Sequence, residues 1–275
     1  MYLTVHCDAF QYPDTTKHVL TDVYVKIAQG ERVAIVGGNG SGKSTFARLL
    51  NGLLIPTSGV VMVDGLDTKC KEGCAFIRSK VGFVFQNPDH QLVTSIVEDD
   101  IVFGLENAEW PAEQIAERLQ QVARQFGIEP LLKRSVHQLS GGQKQRVALA
   151  GVVALSPEVV VLDEVTSMLD PEGKAQVNAC IDQLHAKGMT IISVTHDVQE
   201  MQRADRILGF NDGQVVYDGT PDALFSNRQL VQTLQVTRPF VYELQEQLKQ
   251  RGVHLPHCDR EEALIEALWT YYLKM

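Results

Sequence analysis

The chain has 275 residues, 44% of them apolar and 21% charged, which is an ordinary globular composition and enough to bury a full core. Its formal net charge of −9, from 34 acidic and 25 basic residues, argues against nucleic acid as the main partner, because phosphate-backbone binding needs a basic surface. No apolar run approaches the roughly 20 residues that span a bilayer, and residues 1–6 lack the pattern of a signal peptide. We therefore expect a cytoplasmic protein that reaches any membrane through a partner.

The first part of the chain is predicted to form strands and turns around one glycine-rich loop. Residues 23–27 alternate apolar and polar side chains, and residues 32–36 are typical of a buried strand. A helix is predicted from Lys43 to about Leu50. The loop between strand and helix matches the pattern G-x-x-x-x-G-K-[ST] at every fixed position; its residues are Gly37, Gly38, Asn39, Gly40, Ser41, Gly42, Lys43 and Ser44.

This loop is predicted to bind the phosphates of a nucleotide. Its glycines allow backbone N–H groups to surround phosphates at the positive end of the following helix. Lys43 is expected to reach the β- and γ-phosphates of ATP, and the Ser44 hydroxyl is expected to bind Mg²⁺. Thr45 completes the predicted nucleotide-binding set. A chance match is the alternative, and the strand before the loop and the helix after it disfavour that reading.

A change of pattern follows the strand predicted at residues 81–85, which ends at Gln86. Residues 88–156 are predicted to form a helical subdomain inserted into an α/β core. One of its helices carries an apolar face and is closed by Gly127; that face is Ile115, Leu119, Val122 and Phe126. Before this insert, Cys70 and Cys74 could form half of a metal site, but without a matching second pair we expect free thiols.

A second glycine-rich loop precedes another predicted helix. Its residues Ser140, Gly141, Gly142 and Gln143 would form an anion-binding cradle at a helix N-terminus. The first loop already encloses its nucleotide from one side. The second is therefore best explained as covering the γ-phosphate of a nucleotide held by another subunit, which predicts a dimer.

Two adjacent carboxylates end the next buried strand, at residues 159–162. Asp163 is placed to hold Mg²⁺, through water, and Glu164 to act as general base on the attacking water. A structural pair that caps the next helix is the alternative. The position after a buried strand, in a chain with a phosphate-binding loop, favours the catalytic interpretation.

The remaining core elements predict a largely parallel sheet with added antiparallel hairpins. A strand at residues 190–195 leads to His196, and residues 207–217 form a hairpin. From Thr220 the pattern is helical, so we divide the chain into a domain at residues 1–219 and an extension at residues 220–275. The extension carries two apolar stripes, which either pack on the core or form a self-association surface; they are Val241, Leu244 and Leu248, then Leu264, Leu268 and Tyr271.

Over roughly residues 1–220, the order of these motifs resembles the ATPase subunit of ABC transporters. The resemblance implies a P-loop NTPase fold and ATP hydrolysis. By it, Gln86 senses Mg²⁺ and the attacking water and links to a membrane subunit, and His196 contacts the γ-phosphate. It also implies that Asp170 reaches across the dimer and that Tyr12 stacks on adenine. The departures are Gly38 and Val165, where the family often has proline; neither removes a ligand.

A finer resemblance, carried by residues 86–91 and 166–171 and by the helical extension, is to the ATPases of energy-coupling factor importers. It implies a second ATPase subunit, identical or related, with a transmembrane coupling protein and a membrane subunit that binds a vitamin or metal. The chain would then lie on the cytoplasmic face of the cell membrane. The acidic residues 98–100 would lie at the rim of the docking surface, with a solvated helix face as the alternative.

Three other functions would use part of this set of motifs. Another class of ABC importer shares parts of the same motifs. A soluble ABC ATPase acting on ribosomes or DNA would be expected to carry two motif sets or a long coiled coil, and this chain has neither. A P-loop GTPase or kinase would leave the loop at residues 139–143 without a function.

Overall fold

The computed structural model describes residues 3–13, 15–70 and 73–273, and these form strands and helices that alternate only in part of the chain. The strands are β1 (Leu3–Phe10), β2 (Leu20–Ile27), β3 (Arg32–Gly37), β4 (Ser58–Val63), β5 (Leu66–Asp67), β6 (Val81–Val84), β7 (Val159–Asp163), β8 (Thr190–Val194), β9 (Arg206–Asn211) and β10 (Gln214–Gly219). The α-helices are α1 (Lys43–Leu49), α2 (Cys74–Lys80), α3 (Val97–Asn107), α4 (Ala112–Phe126), α5 (Gly141–Ala154), α6 (Pro171–Ala186), α7 (Val198–Gln202), α8 (Pro221–Ser226), α9 (Arg228–Thr233), α10 (Phe240–Gln250) and α11 (Glu261–Tyr272).

A six-stranded sheet in the order β10-β9-β3-β8-β7-β6 organises the core. Strands β9, β3, β8, β7 and β6 are parallel, while β10 pairs antiparallel with β9 as the predicted hairpin. The predicted α/β fold is therefore confirmed. Because the carboxyl ends of parallel strands meet at one edge of a sheet, the segments that follow β3, β6, β7 and β8 converge there.

The second sheet is antiparallel, in the order β2-β1-β4-β5, and forms the predicted additional β layer. Its inward side chains share one apolar core with β3, β7 and α1. Representative members of this core are Val5, Val23, Ile35, Phe46 and Val161, all fully buried. Helix α1 therefore begins at the phosphate-binding loop and is anchored by packing along its length.

Helices α3, α4 and α5 lie between β6 and β7, inside the range 88–156 predicted as a helical insert, whose limits stay a prediction. The face predicted for α4 is largely buried: Leu119, Val122 and Phe126 belong to a cluster shared with α3 and α5, and Ile115 packs against it. Gly127 ends this helix in the left-handed conformation, with φ of 60°. The apolar period of the sequence is thus explained by packing between these helices.

The C-terminal helices pack on the main core. Thr220 caps α8 by accepting a hydrogen bond from the Ala223 N–H at 3.3 Å. The two predicted apolar stripes largely turn inward, into a cluster shared with β3 and α7; their members in or against this cluster are Val241, Leu244, Leu264 and Leu268. These stripes therefore support core packing, and the outward face of α11 is a different one: Ile265, Trp269 and Tyr272 are each more than half exposed.

Predictions from the sequence also concerned membrane spans, cysteines and a metal site. No helix within residues 3–13, 15–70 and 73–273 is long and apolar enough to cross a membrane. All five cysteines are free, and the described residues contain no cluster of His, Cys, Asp and Glu that could hold a metal. Of the segment between Cys70 and Cys74, Lys71 and Glu72 lie outside the described residues, as do Met1 and Tyr2.

Candidate nucleotide-binding site

The glycine-rich loop connects β3 to α1 in a conformation that excludes side chains at two positions. Gly37 has φ of +145°, and a Cβ there would lie 2.1 Å from the Phe210 carbonyl oxygen. Gly42 has φ of +102°, and its Cβ would lie 2.6 Å from Leu20 Cδ2. Glycine is required at both because it alone tolerates the backbone angle and the close approach.

Lys43 lies at the centre of this loop and is buried. Its Nζ donates to the carbonyl oxygens of Gly37 and Gly38, both at 2.9 Å. Burial lowers the pKa of Lys43, while the charges of Glu164 and Asp163 oppose that shift. An ammonium group has three donors, so one N–H remains for a phosphate oxygen.

Ser44 and Asp163 meet although they lie far apart in the chain. The Ser44 hydroxyl donates to Asp163 Oδ1 at 2.8 Å. A hydroxyl and a carboxylate are oxygen ligands suited to Mg²⁺, so this pair fits the predicted metal. Arg48 Nη2 lies 3.8 Å from Asp163 Oδ2, a contact that the sequence analysis missed. The signal was its spacing, since Arg48 stands one helical turn after Ser44.

Glu164 is held between two predicted catalytic residues. Gln86 Nε2 donates to Glu164 Oε2 at 3.0 Å, and His196 Nε2 lies 3.4 Å from Glu164 Oε1. The backbone of Glu164 has φ of 51°, a left-handed conformation that is strained for a non-glycine residue. Its N–H donates to the Val194 carbonyl at 3.0 Å, so the end of β8 fixes this conformation.

Ser167 and Asp197 support the same group of side chains. Gln86 Nε2 lies 3.4 Å from Ser167 Oγ, which donates to the Glu164 carbonyl at 2.8 Å. Asp197 follows His196, caps α7 and forms an ion pair with Lys174 of α6. The contacts of Ser167 with Gln86 and of Asp197 with Lys174 were not predicted, because each joins residues that are distant in the chain.

A cavity of about 190 Å³ opens beside the glycine-rich loop. Its described lining consists of Val19, residues 39–45 and Glu164. This volume lies below the roughly 300–1,000 Å³ of ordinary ligand sites, so it is the size of a partial site. Tyr12 lies beside it, with its hydroxyl 3.1 Å from Thr45 Oγ1 and its ring edge-on to Phe10; its adenine contact stays a prediction.

The second glycine-rich loop begins α5 and does not contribute to this described lining. Ser140 is the N-cap: its Oγ accepts from the Gln143 N–H at 3.3 Å, and the Gln143 side chain accepts from the Ser140 N–H at 3.0 Å. The Gln143 side chain predicted to bind nucleotide is thus used within its own helix end. Gly142 packs closely on Gly173, where an added Cβ would lie 3.1 Å from the Gly173 Cα, while Gly141 faces Leu169.

Three predicted interaction residues already have partners within the chain. Asp170 caps α6, accepting from the Gly173 N–H at 3.0 Å, so a contact across a dimer would have to share that carboxylate. Asp100 accepts from the N–H groups of Val93 and Thr94 at 2.7 and 3.0 Å. Glu98 pairs with Lys133. Of the predicted acidic rim, Asp99 therefore remains as the exposed carboxylate without such a role among the described residues.

Comparison with known proteins agrees with this arrangement. The ABC transporter family profile matches residues 20–167, and the profile of the energy-coupling factor transporter EcfA1 C-terminal domain matches residues 239–275. The chain is 47% identical to the energy-coupling factor transporter ATP-binding protein EcfA1 of Halalkalibacterium halodurans, over 96% of this chain and 95% of that protein. The chain belongs to the energy-coupling factor family of ABC transporter ATPases.

Solved structures of other ABC transporter ATPases have the same fold as this energy-coupling factor ATPase. It superposes on cbiO1 of Clostridium perfringens, described as part of the ABC transporter complex cbiONQ, with a TM-score of 0.76 and 35% identity, covering 89% of this chain and 99% of that one. The ATP-binding cassette MJ0796, solved as a dimer in a post-hydrolysis state with ADP and Pi, gives a TM-score of 0.72 at 27% identity, covering 80% of this chain and 98% of that one. The family and the ATPase class predicted from the motifs are confirmed.

Proposed function

We propose that this ATPase subunit works in a dimer, with an identical or related partner, and powers the uptake of a vitamin or metal-type micronutrient. The observation that carries the proposal is the division of the site. The cavity beside Lys43 and Glu164 is small, and the loop at Ser140 stands outside its described lining. Each ATP would then be enclosed by the glycine-rich loop of one subunit and the Ser140 loop of the other.

The residues at the sheet edge take distinct roles in this proposal. The loop N–H groups and Lys43 bind the phosphates, and Glu164 accepts the proton of the attacking water. Gln86 and His196 orient the Glu164 carboxylate from both sides, at 3.0 and 3.4 Å. Mg²⁺, when bound by Ser44 and Asp163 with Gln86 nearby, would neutralise the charge of the phosphates.

Coupling to transport follows from linkage. If closure of the dimer raises its affinity for ATP, then ATP favours closure by the same free energy, and hydrolysis reverses it. We propose that this motion passes to a transmembrane coupling protein docked near Gln86 and Asp99, with a membrane subunit that binds the substrate. The protein would lie on the cytoplasmic face of the cell membrane and bind no nucleic acid. The names of its relatives favour this function over a ribosome- or DNA-directed ATPase.

Shared sites can be tested with two variants that damage opposite halves of the site. Ser140→Asp keeps a helix-capping oxygen while placing negative charge where a partner's γ-phosphate would bind. Ser140→Asn is its neutral matched control and also caps well. Lys43→Ala removes the phosphate-binding ammonium. We choose Ser140 over Gly142 because any side chain at Gly142 would press on Gly173.

The decisive sample is a mixed dimer of Ser140→Asp and Lys43→Ala chains, purified through two different tags. One of its composite sites carries both lesions and the other carries none. We expect each variant alone to be inactive. The mixed dimer should trap one ATP and recover up to about half of the parental turnover. Mixed dimers that trap no nucleotide and hydrolyse no faster than either variant alone would refute shared sites.

A further inference from the structure

A second cavity, of about 500 Å³, lies in the C-terminal extension, far along the chain from every predicted site residue. It is bounded by the start of α9, by α10 and by the segment that leads toward α11. Basic and imidazole side chains dominate its polar lining; they are Arg228, Arg238, Lys249, His254 and His257. Its volume is within the roughly 300–1,000 Å³ of ordinary small-molecule sites.

One carboxylate holds two of these cations together. Glu246 Oε1 lies 3.5 Å from Arg228 Nη1, and Glu246 Oε2 is bonded to Arg238 Nη1. A single negative charge therefore faces two guanidinium groups, which leaves positive charge uncompensated. Lys249 follows Glu246 by three residues, so it stands on the same face of α10, and it forms no ion pair among the described residues.

Two members of this group, Arg238 and His257, are held in place by contacts within the chain. The Arg238 side chain is only 12% exposed, and its Nε donates to the Phe225 carbonyl at 2.8 Å. The hydrogen bond from Arg238 lowers the pKa of Glu246, so the carboxylate that spaces the guanidinium groups stays ionised. His257 is fixed by Asp222, 2.6 Å away, which places a second carboxylate behind the imidazole.

The balance of fixed charge around the opening is nevertheless positive. Three cations line the cavity against the carboxylate of Glu246, and they still outnumber the carboxylates when Asp222 is counted, which lies behind His257 and accepts from the Tyr242 hydroxyl at 2.9 Å. The whole chain carries a formal net charge of −9, so a basic cavity is opposite in sign to the protein around it. Guanidinium groups suit phosphate oxygens because their N–H donors match them in pairs, and a lysine adds an adaptable point charge.

We propose that this cavity is a second ligand site, independent of the ATP site, and that it binds a small phosphate-containing anion with at least two negative charges. Pyrophosphate is the probe. The full-length Lys43→Ala chain is used, so that the glycine-rich loop does not contribute, and binding is measured by titration calorimetry at low salt. Because Lys249 and Arg228 are exposed, Lys249→Gln and Arg228→Gln should fold normally, and their melting curves verify this.

The matched control is Arg251→Gln, which removes the same charge two residues after Lys249 at the same helix end but outside the cavity lining. We expect saturable 1:1 binding of pyrophosphate, weakened at least tenfold by Lys249→Gln or Arg228→Gln and within twofold of its original strength in Arg251→Gln. Absence of binding, or equal weakening in the control, would overturn the site. Citrate that binds as tightly as pyrophosphate would overturn its assignment to phosphate.

Discussion

Replacing Glu164 by glutamine isolates the general base with little disturbance to the structure. In the parental chain Glu164 Oε2 accepts from Gln86 at 3.0 Å, and Oε1 lies 3.4 Å from His196 Nε2. A glutamine can keep both contacts, with its carbonyl oxygen toward Gln86 and its amide toward the imidazole. The backbone at φ of 51° suits glutamate and glutamine equally, so folding and ATP binding should survive.

The rate of hydrolysis should fall far more than these contacts explain. A weakened neutral hydrogen bond costs about 0.5–1.5 kcal/mol. Loss of a general base costs roughly 10²- to 10⁴-fold in rate, which is about 3 to 5 kcal/mol at about 1.4 kcal/mol per tenfold. We therefore expect turnover at least a hundredfold below parental, with ATP binding within threefold and with ATP accumulating on a closed dimer.

The assay combines phosphate release at saturating ATP, equilibrium binding of labelled ATP, and light scattering after chromatography with and without ATP. Glu117→Gln, an exposed carboxylate on α4, is the matched control and should hydrolyse ATP normally. If Glu164→Gln turned over within about fivefold of the parental chain, Glu164 would not be the base. A loss of binding as large as the loss of turnover would instead assign it to nucleotide binding.

Three further predictions concern stability and assembly. Asp197→Asn keeps the cap of α7 but removes the ion pair to α6, and should lower the free energy of unfolding by about 1 kcal/mol at pH 7. Burial alone raises the pKa of Asp197, but hydrogen bonds from Lys174 and from the helix backbone leave this pKa lowered. The stabilisation is therefore complete above the ordinary aspartate pKa of about 3.9 and is lost as pH falls through the pKa of the folded state. Urea unfolding should show the difference in free energy of unfolding between the parental chain and Asp197→Asn shrinking below about pH 4, and an equal difference at pH 3 would refute the charge pair. Trp269→Glu, on the outward face of α11, should reduce the dimer fraction in light scattering without lowering the melting temperature. Tyr24→Glu, at another aromatic residue that is more than half exposed, on β2, should leave the dimer fraction unchanged; equal effects would locate the association surface elsewhere. Asp99→Lys should reduce co-purification of membrane components while ATPase activity of the isolated subunit is kept, and Glu106→Lys on the same helix is the control; unchanged recovery and unchanged uptake would exclude Asp99 from the docking surface.

The sequence by itself determined the parts of the protein whose physics is local. The glycine-rich loop is recognisable because its backbone angles and close contacts at Gly37 and Gly42 exclude residues other than glycine, so both glycines are fixed positions of the motif. Apolar periods predicted the buried face of α4 and located the apolar stripes of the C-terminal helices, but they left open whether those stripes face the core or another subunit. The alternation of strands and helices in the core predicted the parallel sheet because parallel strands need a crossover connection, which is usually a helix.

Only the tertiary structure decided which side chains share a contact. Gln86 and Glu164 are 78 residues apart in the chain, and they meet because β6 and β7 are neighbours in the sheet. It also decided which carboxylates take part in local hydrogen bonds: the same residue type stands at Asp99, Asp100 and Asp170, but among the described residues Oδ1 of Asp100 and of Asp170 accepts from nearby N–H groups. Packing and competition for hydrogen bonds depend on groups that folding brings together from distant parts of the chain. They therefore cannot be predicted from the type and spacing of neighbouring residues alone.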